Sequence, residues 1–346
     1  MRAGRFLPVG GDLANQHGDA LEMKWESGSV RAGMARGWRI WTALGIVYIV
    51  WGSTYVAIKV SVETMPPILS AGLRFTVAGV LLGAILAFRR TPLRVPWREA
   101  RAALIIGVML LACGVGAVTL AETRIDSSVA AMIAGSVPLQ VILWRTLAHE
   151  HVATATKVAA VVGIGGLALI IGPTGISGGS AAIGLAIMLC GSIAWSTGSF
   201  ISRRLPLPRD PFVATVYEMI GAGLVLVVAA LAVGEGTDFS TGAISAASFA
   251  AWAYLAIFGS LVAFTAYAWL LHHAPISQVV THQYVNPVVA IILGSLFLGE
   301  SHDLATVVGA LIVIGAVFAT IRSESRRAPA AAAIEVDAAA RPARAK

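Results

Sequence analysis

The chain is written in long apolar runs separated by short polar breaks. Ten runs can be read, near 41–60, 68–88, 102–121, 127–147, 153–171, 181–201, 212–233, 249–271, 279–298 and 305–321. Each has the length, about 20 residues, that a helix needs to cross a hydrocarbon core of about 30 Å. None alternates with period two as the strands of a membrane barrel do. Inside a bilayer no water satisfies the backbone, so each run is predicted as a helix. The expected fold is an all-α membrane protein of ten transmembrane helices.

The flanks read differently. Residues 1–40 are polar and Gly-rich and contain no apolar h-region, which makes them a cytoplasmic tail rather than a cleaved signal. Met34, in Met-Ala-Arg-Gly-Trp-Arg ahead of the first run, is an alternative start. Residues 323–346, rich in Ala and Pro with scattered Arg, are expected to be a disordered cytoplasmic tail.

Composition supports the membrane reading, with 57% apolar and 12% charged residues where soluble domains carry about a quarter charged. Cys113 and Cys190 lie inside runs three and six without metal or redox spacing, and are expected to be small packing residues. The net charge of +7 has a topological source. With both termini inside, the cytoplasmic segments hold Arg89, Arg90, Arg94, Arg98, Arg101, Arg145, Lys157, Arg203, Arg204, Arg209 and Arg322, whereas the outside holds Lys59 and Arg124. Glu63, Glu122, Asp126, Glu235, Asp238, Glu300 and Asp303 fall in the external loops. The charge therefore calls for no nucleic-acid partner, and the expected location is a bacterial inner membrane.

The chain also repeats itself. A shift of 144 residues superposes Trp51 on Trp195, Lys59 on Arg203, Pro67 on Pro211 and Gly79 on Gly223; a shift of 149 superposes Pro138 on Pro287, Ala160 on Gly309 and Gly166 on Gly315. The halves are 41–172 and 182–322, five helices each. An odd number makes the second half enter from the opposite side, so the repeats are inverted, the common plan of secondary transporters with a site near the midplane. Duplication serving assembly alone is the other reading.

Several segments carry a family resemblance: Trp-Gly-Ser-Thr-Tyr at 51–55, Pro66-Pro67, Gly72-Leu73-Arg74-Phe75, Gly191-Ser192-Ile193-Ala194-Trp195, the run from Tyr254 to Ser260, the run from Tyr284 to Ala290, and Gly299-Glu300. Together they resemble the EamA family of the drug/metabolite transporter superfamily, and within it the YedA-type exporters. The resemblance implies a basket of two EamA repeats around a central cavity, and a permease or exporter of amino acids, related metabolites or xenobiotics. It does not choose the cargo.

Two charges stand inside the runs, Arg74 in the second and Glu218 in the seventh, 144 residues apart. A charge at mid-bilayer costs at least about 2.5–3.5 kcal/mol, so each must face a partner or a wet cavity. Each lies about 10 Å beyond the proline opening its helix, which places the two about 9 Å apart along the normal of a 30 Å core. Either Arg74 attracts a substrate carboxylate while Glu218 carries the coupling proton or binds an amine, or the two form an ion pair fastening the halves.

Trp51, Ser53, Tyr55, Trp195, Tyr267, Tyr284 and Asn286 suit a substrate-binding or cavity-lining role, with packing as the alternative for each. Pro287 and Pro138 break helices nine and four, freeing carbonyls near Gln283 and Ala134. His149, Glu150 and His151 lack a third ligand, so no metal is expected. His272-His273 marks an interface, and the GxxxG of Gly79 and Gly83 allows close packing. There is no GxxxxGK[ST], so a gradient rather than ATP drives transport, with no cofactor and no ATPase subunit evident. The partners are a small-molecule substrate and membrane lipids. The expected function is a secondary transporter exporting small amphipathic metabolites; a lipid flippase is the alternative, and a membrane-embedded enzyme is the reading the residues support least.

Overall fold

The computed structural model describes residues 38–150, 152–171, 179–236, 241–274, 279 and 282–325. The expectations for 1–37, Met34 among them, for His151 and for 326–346 lie outside these residues, as does the side chain of His272. Among the described residues there is helix and no strand. The helices are α1 (Trp38–Ser61), α2 (Pro67–Phe88), α3 (Trp97–Ala121), α4 (Ser127–Leu147), α5 (Thr154–Ile171), α6 (Gly179–Ser202), α7 (Pro211–Ala232), α8 (Ala246–Leu271), α9 (His282–Leu293 continued by Gly294–Leu298) and α10 (Leu304–Ser325). Seven of these, α1–α4 and α6–α8, are long and apolar enough to cross a membrane; Thr154–Gly166, Val285–Leu298 and Leu304–Ala316 are shorter apolar stretches. Residues 38–43 belong to a separate compact unit, and the main body runs from Leu44 onward.

Local chemistry explains where helices start and bend. Pro67 and Pro211 open α2 and α7 in the first turn, where no N–H is missed. The Asp210 carboxylate accepts from Phe212 N at 2.8 Å, and Glu235, at the far end of α7, accepts from Ile68 N and Leu69 N. Lys59, expected at the outer end of the first run, donates to the carbonyls of Glu122 and Ile125 at 2.8 Å each and so caps the end of α3. α4 is interrupted at Gly135-Ser136 and resumes at Val137 with Pro138 in its first turn, as the proline requires. Pro287 instead sits inside α9. α3 and α8 both widen to a π-helix, over Val108–Val115 and Leu255–Phe264.

The tightest contacts join α2 to α7 and α5 to α10. Glycines set the first of these: a Cβ on Gly79 meets the Ile220 side chain at 2.8 Å and backbone at 3.1 Å, and one on Gly223 meets Thr76 N at 2.7 Å. Gly83 is different, with only Val216 Cγ1 at 3.5 Å. α4 is the innermost helix, 78% of its span being buried against 28–56% in the other spans; Met132, Ile133 and Leu139 lie at its centre. Val80, Phe88, Val161, Val228 and Leu311 stay exposed, as side chains do whose solvent is lipid. Cys113 and Cys190 are exposed too, which corrects the packing role expected of them: their places on α3 and α6 face outward.

The same turn ends α4 and α9, a left-handed residue (His149, φ 57°; Gly299, φ 67°) followed by a glutamate. Glu300 then reaches the start of α4. Its carboxylate accepts from Ser127 N at 2.8 Å and Oγ at 2.7 Å, and from Ser128 N at 3.2 Å and Oγ at 2.5 Å. Gly294 leaves the room it needs, since a Cβ there meets Oε2 at 2.5 Å. Burial raises the Glu300 pKa, but the four hydrogen bonds outweigh it and hold the carboxyl below its usual value. Stability from this clasp is therefore present above the free glutamate value of about 4.3 and is lost as pH falls through the lower value in the folded protein. Glu300→Ala is expected to lower the thermal midpoint in detergent, by the equivalent of about 1 kcal/mol for a lost helix cap, with the gap between variant and wild type closing on acidification below about pH 4. A gap unchanged by acid overturns this account.

Candidate functional site

The site begins at Trp51 on α1. Its indole donates to the Gly259 carbonyl at 3.0 Å, inside the π-helical stretch of α8, where the i→i+5 pattern disturbs the usual ladder and exposes backbone acceptors. Around the indole lie Tyr267 of α8 at 4.9 Å between centroids, His282 of α9 at 5.1 Å and Trp195 of α6 at 5.9 Å. These edge-on and tilted contacts are the arrangements that aromatic quadrupoles favour. Trp51 and Trp195, superposed by the repeat, thus touch one another.

This aromatic layer separates two cavities, and Trp195, Phe264, His282 and Gln283 line both. The inner one, about 90 Å³, is bounded by Trp51, Tyr55, Arg74, Phe75, Ser260 and Asn286 among others. The guanidinium of Arg74 lies 4.4 Å from the centroid of the Phe75 ring, a cation–π contact, and its Nε has no hydrogen-bond partner.

The larger cavity, about 640 Å³, runs from the aromatic layer to the α6–α7 loop. Glu218, Tyr267 and Pro138 line it, and Arg145, Arg203, Arg204, Arg209 and Glu150 stand along its loop side. Glu150 accepts from Arg145 Nε at 2.9 Å and pairs with Arg204. The Arg145 hydrogen bond, with Arg204 adding to it, holds this carboxyl below its usual range. A polar seam joins α4 to α6 beside both cavities: Gln140 Nε2 donates to Ser136 Oγ and Ser192 Oγ, and Ser196 Oγ donates to Gln140 Oε1, each at 2.9 Å.

The expected site residues therefore divide. Trp51, Tyr55, Arg74, Trp195 and Asn286 border the inner cavity, and Trp195, Tyr267 and Glu218 the larger one. Arg74 and Glu218 border different cavities, and no ion pair between them is found among the described residues. Ser53 borders neither: its hydroxyl is bound to the Val50 carbonyl and to the Tyr254 hydroxyl at 2.7 Å. Tyr284 is placed in α9, with its side chain outside the described residues. His273 stacks on Trp269 at 4.2 Å.

Two residues escaped the sequence reading. His282, in the aromatic layer, sits four before Asn286 and so on the same helical face, which was a readable signal. Glu122, assigned to an external loop, is fully buried beyond the end of α3 with neither carboxylate oxygen hydrogen-bonded. Burial first, and Glu300 nearby, push its carboxyl well above the usual range against the pull of Lys59 and Arg74. Adjacency to a helix end could not reveal that.

Known proteins share this architecture. The EamA-like transporter family matches twice, over residues 38–172 and 182–322. The chain belongs to that family. As an EamA protein it is 38% identical to the inner membrane transporter YedA of Escherichia coli K12 over 260 residues, 75% of this chain and 83% of YedA. It is 24% identical to the transporter YoaV of Bacillus subtilis, covering 82% of this chain and 98% of YoaV. It is 25% identical to the WAT1-related chloroplastic protein At3g02690 of Arabidopsis thaliana, covering 80% and 68%. A solved crystal structure covering 83% of this chain, at 18% identity and a TM-score of 0.59, shares the fold.

Proposed function

We propose that this EamA protein is a secondary transporter that exports small amphipathic metabolites, such as amino acids, across the bacterial inner membrane. It works by alternating access between two inverted five-helix repeats, driven by a gradient, with both termini cytoplasmic. One observation carries the reading: a cavity of about 640 Å³ on the side of the basic loops ends at an aromatic layer, with a small, mainly apolar cavity beyond that holds a few polar groups. That is the form of a path open on one face and closed toward the other.

The repeat supports it. Gly79 contacts Ile220 while Gly223 contacts Thr76, and Thr76–Ile220 and Gly79–Gly223 are each 144 apart in sequence. Exchanging the halves exchanges the two contacts, as a two-fold relation demands. The paired π-helical stretches of α3 and α8 and the paired glutamate turns after α4 and α9 agree. Glu300 clasps the start of α4, whereas Glu150 is drawn to arginines at the larger cavity. An opened face on the arginine side and a fastened face opposite fit this difference.

Arg74 and Glu218 are equivalent positions in the two halves, so the swing that exchanges the cavities exchanges their surroundings as well. In this reading Glu218 carries the proton, supported by its being buried yet bordering the larger cavity. The test is uptake of radiolabelled amino acids into inside-out vesicles, with and without a pH gradient and against empty-vector membranes. Gradient-dependent accumulation is expected for the wild type, and Glu218→Gln is expected to remove the gradient dependence. Unchanged pH dependence in Glu218→Gln sinks the proton role; movement of labelled lipid instead of any metabolite turns the reading to a flippase.

A further inference from the structure

Seven buried side-chain atoms among the described residues lack a hydrogen-bond partner, and four of them belong to residues lining the inner cavity: Arg74 Nε, Ser260 Oγ, His282 Nε2 and Asn286 Oδ1. Each of these residues is exposed by 5% or less. An orphaned buried polar atom loses its hydration with nothing in return, and native proteins keep few. Four converging from α2, α8 and α9 on a space of about 90 Å³ mark a place built for a polar guest.

The polarity of that guest follows atom by atom. Arg74 is a cation and donates only. His282 Nδ1 lies 2.8 Å from the Val279 carbonyl; a carbonyl accepts, so Nδ1 carries the hydrogen, and in the neutral ring Nε2 is a bare acceptor. An imidazolium would set a second cation beside Arg74 in a space of low dielectric. Asn286 Oδ1 also accepts, and it stands one helical turn from His282 on the same face. Ser260 serves either way. One cationic donor and two acceptors thus line the same small cavity. The complement bears an anionic oxygen and N–H donors on neighbouring atoms.

We propose, resting on the transport reading above, that His282 Nε2 and Asn286 Oδ1 are the specificity-determining acceptors of this site. They select a zwitterionic head group whose anionic oxygen meets Arg74 and whose ammonium meets the two acceptors, with the remainder of the ligand reaching through the aromatic layer toward the larger cavity. A ligand lacking the N–H donor leaves both acceptors unpaired, the condition under which polar sites discriminate most strongly.

The test is ligand binding to the purified full-length protein in detergent, read by quenching of tryptophan fluorescence, since Trp51 and Trp195 border the space. The probes are the proteinogenic L-amino acids, with 4-methylpentanoate and 3-phenylpropanoate as des-amino counterparts of leucine and phenylalanine. The wild type is expected to bind leucine, phenylalanine or both, and at least about tenfold more tightly than the matching des-amino acid. In Asn286→Leu and His282→Phe that preference falls several-fold while the carboxylate still binds, and Asn286→Asp, which keeps an acceptor, restores it. The proposal is overturned if the des-amino acid binds the wild type equally well, if folded variants keep the full preference, or if neither amino acid binds. Failure here with another cargo accumulating in vesicles leaves transport standing, whereas discrimination without accumulation removes transport and leaves the site.

Discussion

Gly107→Leu is expected to yield no folded protein in detergent, and Gly107→Ala to lower the unfolding midpoint far more than Gly83→Ala does. The difference lies in what a side chain would meet. At Gly107, on α3, a Cβ overlaps the backbone O, Cα and C of Glu218 on α7. Backbone cannot rotate aside, so the two helices must part, and overpacking of this kind costs about 1–3 kcal/mol even for small additions. The displacement also reaches the larger cavity, because Ile106 and Leu110 on one side and Glu218 on the other border it. Gly83 has ordinary contact distance to Val216, so alanine there is expected to be neutral or to gain up to about 1 kcal/mol from helix propensity. Circular dichroism melts of the three variants in one detergent decide the matter. Equal midpoints for the two alanine variants would falsify the close approach of α3 and α7.

Arg74→Leu is expected to abolish vesicle accumulation while the protein folds as well as the wild type or better. A buried charge costs about 2.5–3.5 kcal/mol at the membrane centre. Here the cation–π contact with Phe75 returns about 0.5–2 kcal/mol, and Nε donates no hydrogen bond. Leucine removes the cost together with the function. A structural arginine behaves oppositely, since deleting one member of a buried pair destabilises by about 3–5 kcal/mol. Arg74→Lys keeps the charge and loses the planar fork, so partial accumulation is expected. The midpoint and the transport rate, measured on the same preparation, separate the two roles: a lowered midpoint with proportionate loss of activity contradicts the assignment.

Much of the helical layout was legible because the bilayer imposes a length and forbids an unsatisfied backbone, so α1–α4 and α6–α8 appear where the apolar runs fall. Helix ends were less so: α3 begins at Trp97 rather than 102, because the Arg98–Arg101 turn is polar yet helical. Pro138 and Pro287 announced breaks, but whether a proline restarts a helix or sits within one depends on the neighbours that receive the freed carbonyl. Intramembrane polarity pointed to Arg74, Glu218 and Asn286 for the same energetic reason, while Ser53 was misread because a hydroxyl can satisfy itself on its own helix.

By itself the sequence determined the solvent, the all-helical class and the family, all of which follow from local length, polarity and motif. The tertiary structure alone decided which groups meet: that Arg74 and Glu218 border separate cavities, that His282 joins the aromatic layer, that Glu122 is buried and that Glu300 clasps α4. Those depend on how helices far apart in the chain rotate and approach, and glycines such as Gly107 and Gly223 set that approach through contacts no periodicity records.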